Sequence, residues 1–352
     1  MTTLVTGGAG YIGSMVVEQL LGQGHEVVVV DNLQEGHREA VWPEAVFYKG
    51  DIGDLALLTQ MFRKHSIDAV LHFAAETTIA FSMTDPAKYF TNNVVKGITL
   101  LEAMRAHGCD RFIFSSTAAT FGAPVYTPMD EAHPQQPINA YGESKRMFER
   151  VLDWYHRAYG LRFHAFRYFN AAGASERLGE DHRHESHLIP LVLRRALLEV
   201  QRPTSNVQRP TSPSASPDPA HTTHSLKVFG NDYPTRDGTC VRDYVHVLDL
   251  AQAHILALEN LDRHPDGKYN LGNGQGFTVL EVIETAKRVT GVDIPYDVAP
   301  RRPGDPAVLV ASSEKAKEEL GWRPQYPELE EIVRSAWDWH RRHPEGYGML
   351  EC

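Results

Sequence analysis

A chain of 352 residues with 42% apolar and 23% charged side chains has room for one large or two ordinary globular domains. A net charge of −10, with no basic run longer than that around Arg194-Arg195, excludes an extended nucleic-acid surface. Cys109, Cys240 and Cys352 lie far apart and form no CxxC pair, which excludes a disulfide framework and points to reduced thiols. No stretch approaches the ~18 apolar residues that span a bilayer. A strand starting at Thr3 leaves no room for a leader peptide, so a cytoplasmic protein is expected.

In chain order, Thr3–Thr6 is expected as a buried strand and Tyr11–Gly22 as a helix, followed by strands at His25–Val30 and Val46–Lys49. Leu55–His65 reads as a helix, Ala69–Phe73 as a strand, Val94–His107 as a helix and Arg111–Ser115 as a strand. Tyr141–Tyr159 is a long helix and Leu161–Arg167 a strand. The alternation implies parallel βαβ units, and continuously apolar strands imply a sheet covered on both faces. Past Asn170 the rhythm breaks, although Val247–Leu261 and Thr278–Thr290 still read as helices. The expected architecture is α/β: a doubly wound parallel sheet over 1–171, with a returning segment around 240–262, and a smaller C-terminal domain over 172–352. Gln201–Ser225, rich in Pro, Ser and Thr with QRPTS repeated, reads as a mobile insertion.

The first turn carries the clearest chemistry. Thr6-Gly7-Gly8-Ala9-Gly10-Tyr11-Ile12-Gly13 follows a strand and opens a helix, so glycines 7, 10 and 13 suit a tight turn, close backbone approach to a pyrophosphate, and helix packing. The helix N-terminus adds free amides and a positive dipole end. Asp31, with Asn32 beside it, lies eighteen residues past Gly13, where a carboxylate accepts from an adenosine ribose and repels a 2′-phosphate. A Rossmann-type site for NAD rather than NADP is expected. Asp51-Ile52 and Phe73-Ala74-Ala75 end later strands at the same crevice, with Asp51 serving the ligand or capping a helix.

Tyr141 and Lys145, four apart in YGESK, share one helical face. A free phenol titrates near 10, and an adjacent ammonium together with an oxidised nicotinamide favours the phenolate. Tyr141 is then the expected base, Lys145 the group that lowers its pKa. Ser115-Ser116-Thr117 ends a buried strand at the same edge, with Thr117, then Ser116, the candidate hydroxyl relay.

These three motifs together resemble the extended short-chain dehydrogenase/reductase family. The segments Gly179–Pro190, Phe229–His254, Tyr269–Val282 and Arg301–Trp322 are similar to its UDP-sugar 4-epimerising branch, and the likeness runs from Thr3 to about Tyr347. The resemblance implies a homodimer that pairs the Val94–His107 and Tyr141–Tyr159 helices. It implies oxidation at C4 of UDP-glucose or UDP-galactose, rotation of the 4-keto sugar and re-reduction by a captive NAD. It places Ser115, Thr77, Asn92 and Phe169 near the cofactor. UDP would meet Asn170, His187, Leu188, Phe229, Arg242, Arg302 and Asp305, in a C-terminal domain that binds the UDP-sugar.

Other UDP-sugars, or a dehydratase or decarboxylase activity, remain as alternatives, and so does a non-catalytic NAD-binding role. Against a dehydratase, Ala118-Ala119 stand where such enzymes carry an Asp-Glu pair; against the regulator, Tyr141 and Lys145 are both present. The chain departs from the branch at Glu76–Ser82, where Thr77 and Phe81 replace the usual polar and acidic residues; Leu309 at a specificity position suggests plain hexoses. Asp181, His182, His184, Glu185 and His187 match no helical metal motif, so no metal is expected.

Overall fold

The computed structural model describes residues 1–201, 226–302 and 304–348, so the proposed insertion lies outside the described residues apart from Gln201. Valine-rich segments such as Glu26–Asp31 form strands because β-branched side chains pack well on a sheet buried on both faces. The first half runs β1 (Thr2–Thr6), α1 (Tyr11–Gly22), β2 (Glu26–Asp31), β3 (Val46–Lys49), α2 (Leu55–Lys64), β4 (Ile67–His72), and two short helices, α3 (Ile79–Ser82) and α4 (Pro86–Phe90). It continues through α5 (Lys96–Ala106), β5 (Arg111–Thr117), α6 (Ala140–Tyr159) and β6 (Arg162–Tyr168). The second half contains β7 (Asn170–Ala172), α7 (Leu188–Val200), β8 (Leu226–Phe229), β9 (Val241–Arg242), β10 (Tyr244–His246), α8 (Val247–Asn260) and β11 (Asp266–Leu271). It ends with β12 (Phe277–Thr278), α9 (Val279–Thr290), β13 (Tyr296–Ala299), β14 (Val308–Leu309), α10 (Glu314–Glu319) and α11 (Leu329–Arg342).

Seven strands form one sheet in the order β11-β6-β5-β4-β1-β2-β3, every pairing parallel. The order reverses between β1 and β4, so their carboxyl ends open the crevice where such sheets take ligands. Successive residues of β1 feed opposite layers. Val5 packs with Val16, Leu20 and Leu250 on the α1/α8 face, while Leu4 packs with Leu58, Leu100 and Phe148 on the α2/α5/α6 face. A third core joins α7, α9 and α11 to β8 and β10.

Two expectations change. The return to the main sheet runs past 240–262, because α8 is followed by β11, which pairs with β6 as an edge strand. Its sequence, DGKYNL, lacks the continuous apolar run of an interior strand. The helix expected from Val94 starts at Lys96, because Thr91–Val95 forms a wider π turn.

Phe148 locks α6 to the sheet. It is fully buried, its ring lies 4.9 Å from that of Phe114, and Gly97 opposite has no room for a side chain because a Cβ there would come within 2.4 Å of the Phe148 ring. Phe148→Ala should therefore cost about 3–5 kcal/mol in chemical denaturation. A loss under about 1 kcal/mol would show that α6 is held elsewhere.

Candidate active site

The glycine turn is shaped by packing on one side and left open on the other. Gly7 adopts φ 72°, and a Cβ there would stand 2.5 Å from Ala74 N, at the end of β4. A Cβ on Gly13 would lie 2.2 Å from Gly7 O. At Gly10 the nearest atom to an added Cβ is Gly7 O at 3.4 Å, so this residue keeps the outer face of the turn bare. The amides of Tyr11 and Ile12, in the first turn of α1, have no intrahelical acceptor. At the end of β2, Asp31 is buried and accepts from Ala9 N at 3.0 Å and Leu33 N at 2.8 Å, so it ties the turn to the neighbouring strand. Burial raises its carboxyl above the usual value, partly offset by those amides. Bare amides, a dipole end and a carboxylate on β2 fit a dinucleotide without a 2′-phosphate.

Asp51 is not a helix cap; that role falls to Asp54, which accepts from Ala56 N and Leu57 N. Asp51 instead binds Lys96 Nζ at 2.7 Å and Gly53 N at 2.7 Å. Burial alone would raise its carboxyl, but these donors hold it below the usual value. Ile52, beside it, is buried against the α2 face, whereas Asn32 donates to the Asp51 side chain. Past β4, Phe73, Ala74 and Ala75 are partly buried at the crevice and Thr77 is exposed. Phe169 is partly buried between β6 and β7.

α6 brings the reactive groups to the end of β5. Asn139 caps it by accepting from Gly142 N at 2.8 Å. Gly142 is there for space, since a Cβ would sit 2.3 Å from Ala119 O in the turn after β5. This contact sets Tyr141 within reach of the Thr117 hydroxyl, which acts to lower the phenol's pKa. Burial raises the Tyr141 pKa, and the Thr117 bond offsets only part of the rise. Lys145 is buried and donates from Nζ to Ser115 O at 2.8 Å, with Nζ 4.8 Å from the Phe114 ring centre. Burial lowers its ammonium to about 7, against a weaker opposing pull from Glu149. Among the protein's own groups burial is the larger influence on the phenol, and the Lys145 amine donates to the Ser115 carbonyl.

Ser116 is also corrected. Its Oγ donates to Glu149 Oε1 at 2.5 Å, away from Tyr141, so Thr117 alone of the pair meets the phenol. Ser115 shares a short hydrogen bond with the Tyr168 hydroxyl. Glu149 and Arg167 form a buried ion pair at 2.6 Å. Burial would raise Glu149, but Arg167, Ser116 and Gln135 together hold it below the usual carboxylate value. Glu149 was legible in the sequence as the third member of the Tyr141, Lys145, Glu149 series at helical spacing.

A second layer steadies the loop over the crevice. Asn92 Nδ2 donates to Glu76 Oε1 at 2.9 Å. Asn93, missed in the sequence, donates to Glu76 O and to Ser144 Oγ, both at 3.0 Å, and Ser144 donates to Tyr141 O at 2.7 Å.

In the second lobe the structure gathers Phe229, Arg242, Arg302, Asp305 and Leu309. The Arg302 guanidinium lies 4.1 Å from the Phe229 ring centre, Leu309 pairs with Arg242 between β14 and β9, and Arg242 forms a short ion pair with Asp305. Asn170 is tied to Asp243 O, and His187 with Leu188 begins α7. The histidine-rich loop departs from expectation, because Glu180, His182, Glu185 and His187 converge within 4.8 Å. The chain's backbone, not helical spacing, brings them together.

The model of the NAD dependent epimerase/dehydratase family matches residues 3–272. A UDP-glucose 4-epimerase of Lacticaseibacillus casei is 50% identical over 351 residues, spanning 99% of each chain. A crystal structure of a UDP-glucose 4-epimerase superposes with TM-score 0.90 at 47% identity, covering 99% of this chain and all of the other. The Bifidobacterium longum UDP-glucose 4-epimerase, in complex with NAD+ and UDP, superposes with TM-score 0.86 at 35% identity over 98% of this chain and 100% of its own.

Gly142→Ala should cost about 1–3 kcal/mol through overpacking against Ala119. It should also loosen Tyr141 from Thr117, read as a changed Tyr141 ring signal by NMR. Unchanged stability and signal would show that the close approach is not needed.

Proposed function

The chain belongs to the NAD dependent epimerase/dehydratase family, and on that premise we propose that it interconverts UDP-glucose and UDP-galactose by inverting C4 of the hexose. The observation that carries this reading is the Tyr141–Thr117 pair at the end of β5, beside the glycine turn. NAD would lie on the Gly7–Gly13 turn, with its adenosine ribose at Asp31 and its nicotinamide ribose at Lys145; Thr77 and Asn92 would flank it. When bound, the cofactor supplies uptake of hydride from C4 and its return to the other face. Tyr141 takes the proton of the 4-hydroxyl and later gives it back, with Thr117 holding the reacting oxygen. The sugar must turn between the two steps, so the protein has to grip UDP and leave the hexose loose.

That grip falls to the second lobe. Arg242 and Arg302 suit the diphosphate, Asp305 a ribose hydroxyl and Phe229 the uracil, with Asn170, His187 and Leu188 closing the site. Leu309, partly buried beside Arg242, favours a plain hexose over an N-acetylated one. The turn after Thr117 holds Ala118 and Ala119, so no acid there serves a dehydration. Among the described residues no helix is long and apolar enough to cross a membrane.

We also propose a homodimer through α5 and α6. Val95, Met147 and Trp154 are 57%, 40% and 62% exposed, and Met147 and Trp154 lie seven apart on one face.

Purified protein should convert UDP-galactose to UDP-glucose with no net NADH formed, and Tyr141→Phe should cut turnover about 100-fold or more. An unchanged rate would remove Tyr141 as the base. Trp154→Glu should shift the species seen in sedimentation velocity from dimer to monomer; a parent protein that sediments as a monomer would contradict the proposed interface.

A further inference from the structure

The loop between β7 and α7 carries an inference independent of the sugar chemistry. Glu180, His182, Glu185 and His187 each bring one ligand-capable atom to a common point. His187 Nδ1 lies 2.9 Å from both Glu180 Oε1 and Glu185 Oε1. His182 Nδ1 lies 3.2 Å from Glu180 Oε1 and 3.6 Å from Glu185 Oε2. A tetrahedral ion bound at 2.0–2.2 Å holds its ligand atoms about 3.3–3.6 Å apart; the four separations above run from 2.9 to 3.6 Å, and all four ligand atoms lie within 4.8 Å of one another.

Two features set the group apart from a surface ion pair. The side chains of Glu180 and Glu185 are only 6% and 2% exposed. Within the cluster, Glu185 Oε2 is buried without a hydrogen bond and faces His182 Nδ1 at 3.6 Å, while His182 Nδ1 also faces Glu180 Oε1 at 3.2 Å. A buried carboxylate oxygen without a hydrogen bond carries a desolvation cost, which a cation in the cluster would relieve. Burial would lower the two imidazoles, but Glu180 and Glu185 hold His182 up at about 9 and His187 at about 10, so a divalent ion would displace two protons and then meet a ligand set of charge −2. Imidazole nitrogen beside carboxylate suits zinc and its neighbours rather than magnesium or calcium.

We propose that Glu180, His182, Glu185 and His187 form a binding site for one divalent transition-metal ion of the zinc class. The ion would pin this loop beside the glycine turn, where the His182 ring lies 6.3 Å from that of Tyr11 and the Tyr11 hydroxyl donates to Gly173 O at 2.7 Å.

The test uses untagged, full-length protein stripped of metal and dialysed against zinc. A single zinc per chain is expected, with X-ray absorption showing nitrogen and oxygen neighbours at about 2.0–2.2 Å, and a higher melting temperature as zinc is added. Glu185→Gln and His182→Asn should each weaken zinc binding about tenfold or more, while His184→Ala, in the same loop, should bind as the parent does. Should Glu185→Gln fail to fold, His182→Asn decides. Zinc absent from the parent, or held equally by the parent and both cluster variants, overturns the proposal.

Discussion

The structure turns on a buried ammonium held without a carboxylate of its own. Lys145 lies against the Ser115 carbonyl and the Phe114 ring, and Glu149, the acid that pulls on it, is engaged by Arg167, Ser116 and Gln135. Burial pulls this ammonium down and pushes the neighbouring Tyr141 phenol up. Within the protein's own groups, burial thus favours the protonated phenol. On the proposed function, the positive charge of an oxidised cofactor in the crevice would tip the balance toward the phenolate and so couple proton uptake to its presence.

The rest of the first half serves that arrangement. α6 can bring its first turn to the end of β5 only because Gly142 admits Ala119 and Gly97 admits Phe148. The glycine turn is drawn onto the end of β4 in the same way, through Gly7. The sheet thus delivers three chain segments to one crevice, while the second lobe contributes charged and aromatic side chains that suit a nucleotide diphosphate. On the proposed function, this division would let the protein grip one end of its substrate and leave the other free.

Much of this was legible in the sequence, for physical reasons. Strand–turn–helix glycines and the four-residue spacing of Tyr141 and Lys145 are local, so the chain order reveals them directly. What stayed hidden depends on direction or on distant partners. Ser116 and Thr117 are neighbours on a strand and so point to opposite faces, and the letters alone do not say which one meets Tyr141. β11 lacks the apolar run of its neighbours because it lies at the sheet edge. The cluster at Glu180–His187 forms from loop backbone that has no periodicity to read.

The most direct test of this coupling is the ionisation of Tyr141 itself, followed as tyrosinate ultraviolet absorbance in the cofactor-loaded protein, with the absorbance of the Tyr141→Phe variant subtracted. The account predicts a pKa below about 8 with the oxidised cofactor bound and a value above about 10 once the cofactor is reduced. A phenol that titrates near 10 in both states would contradict it.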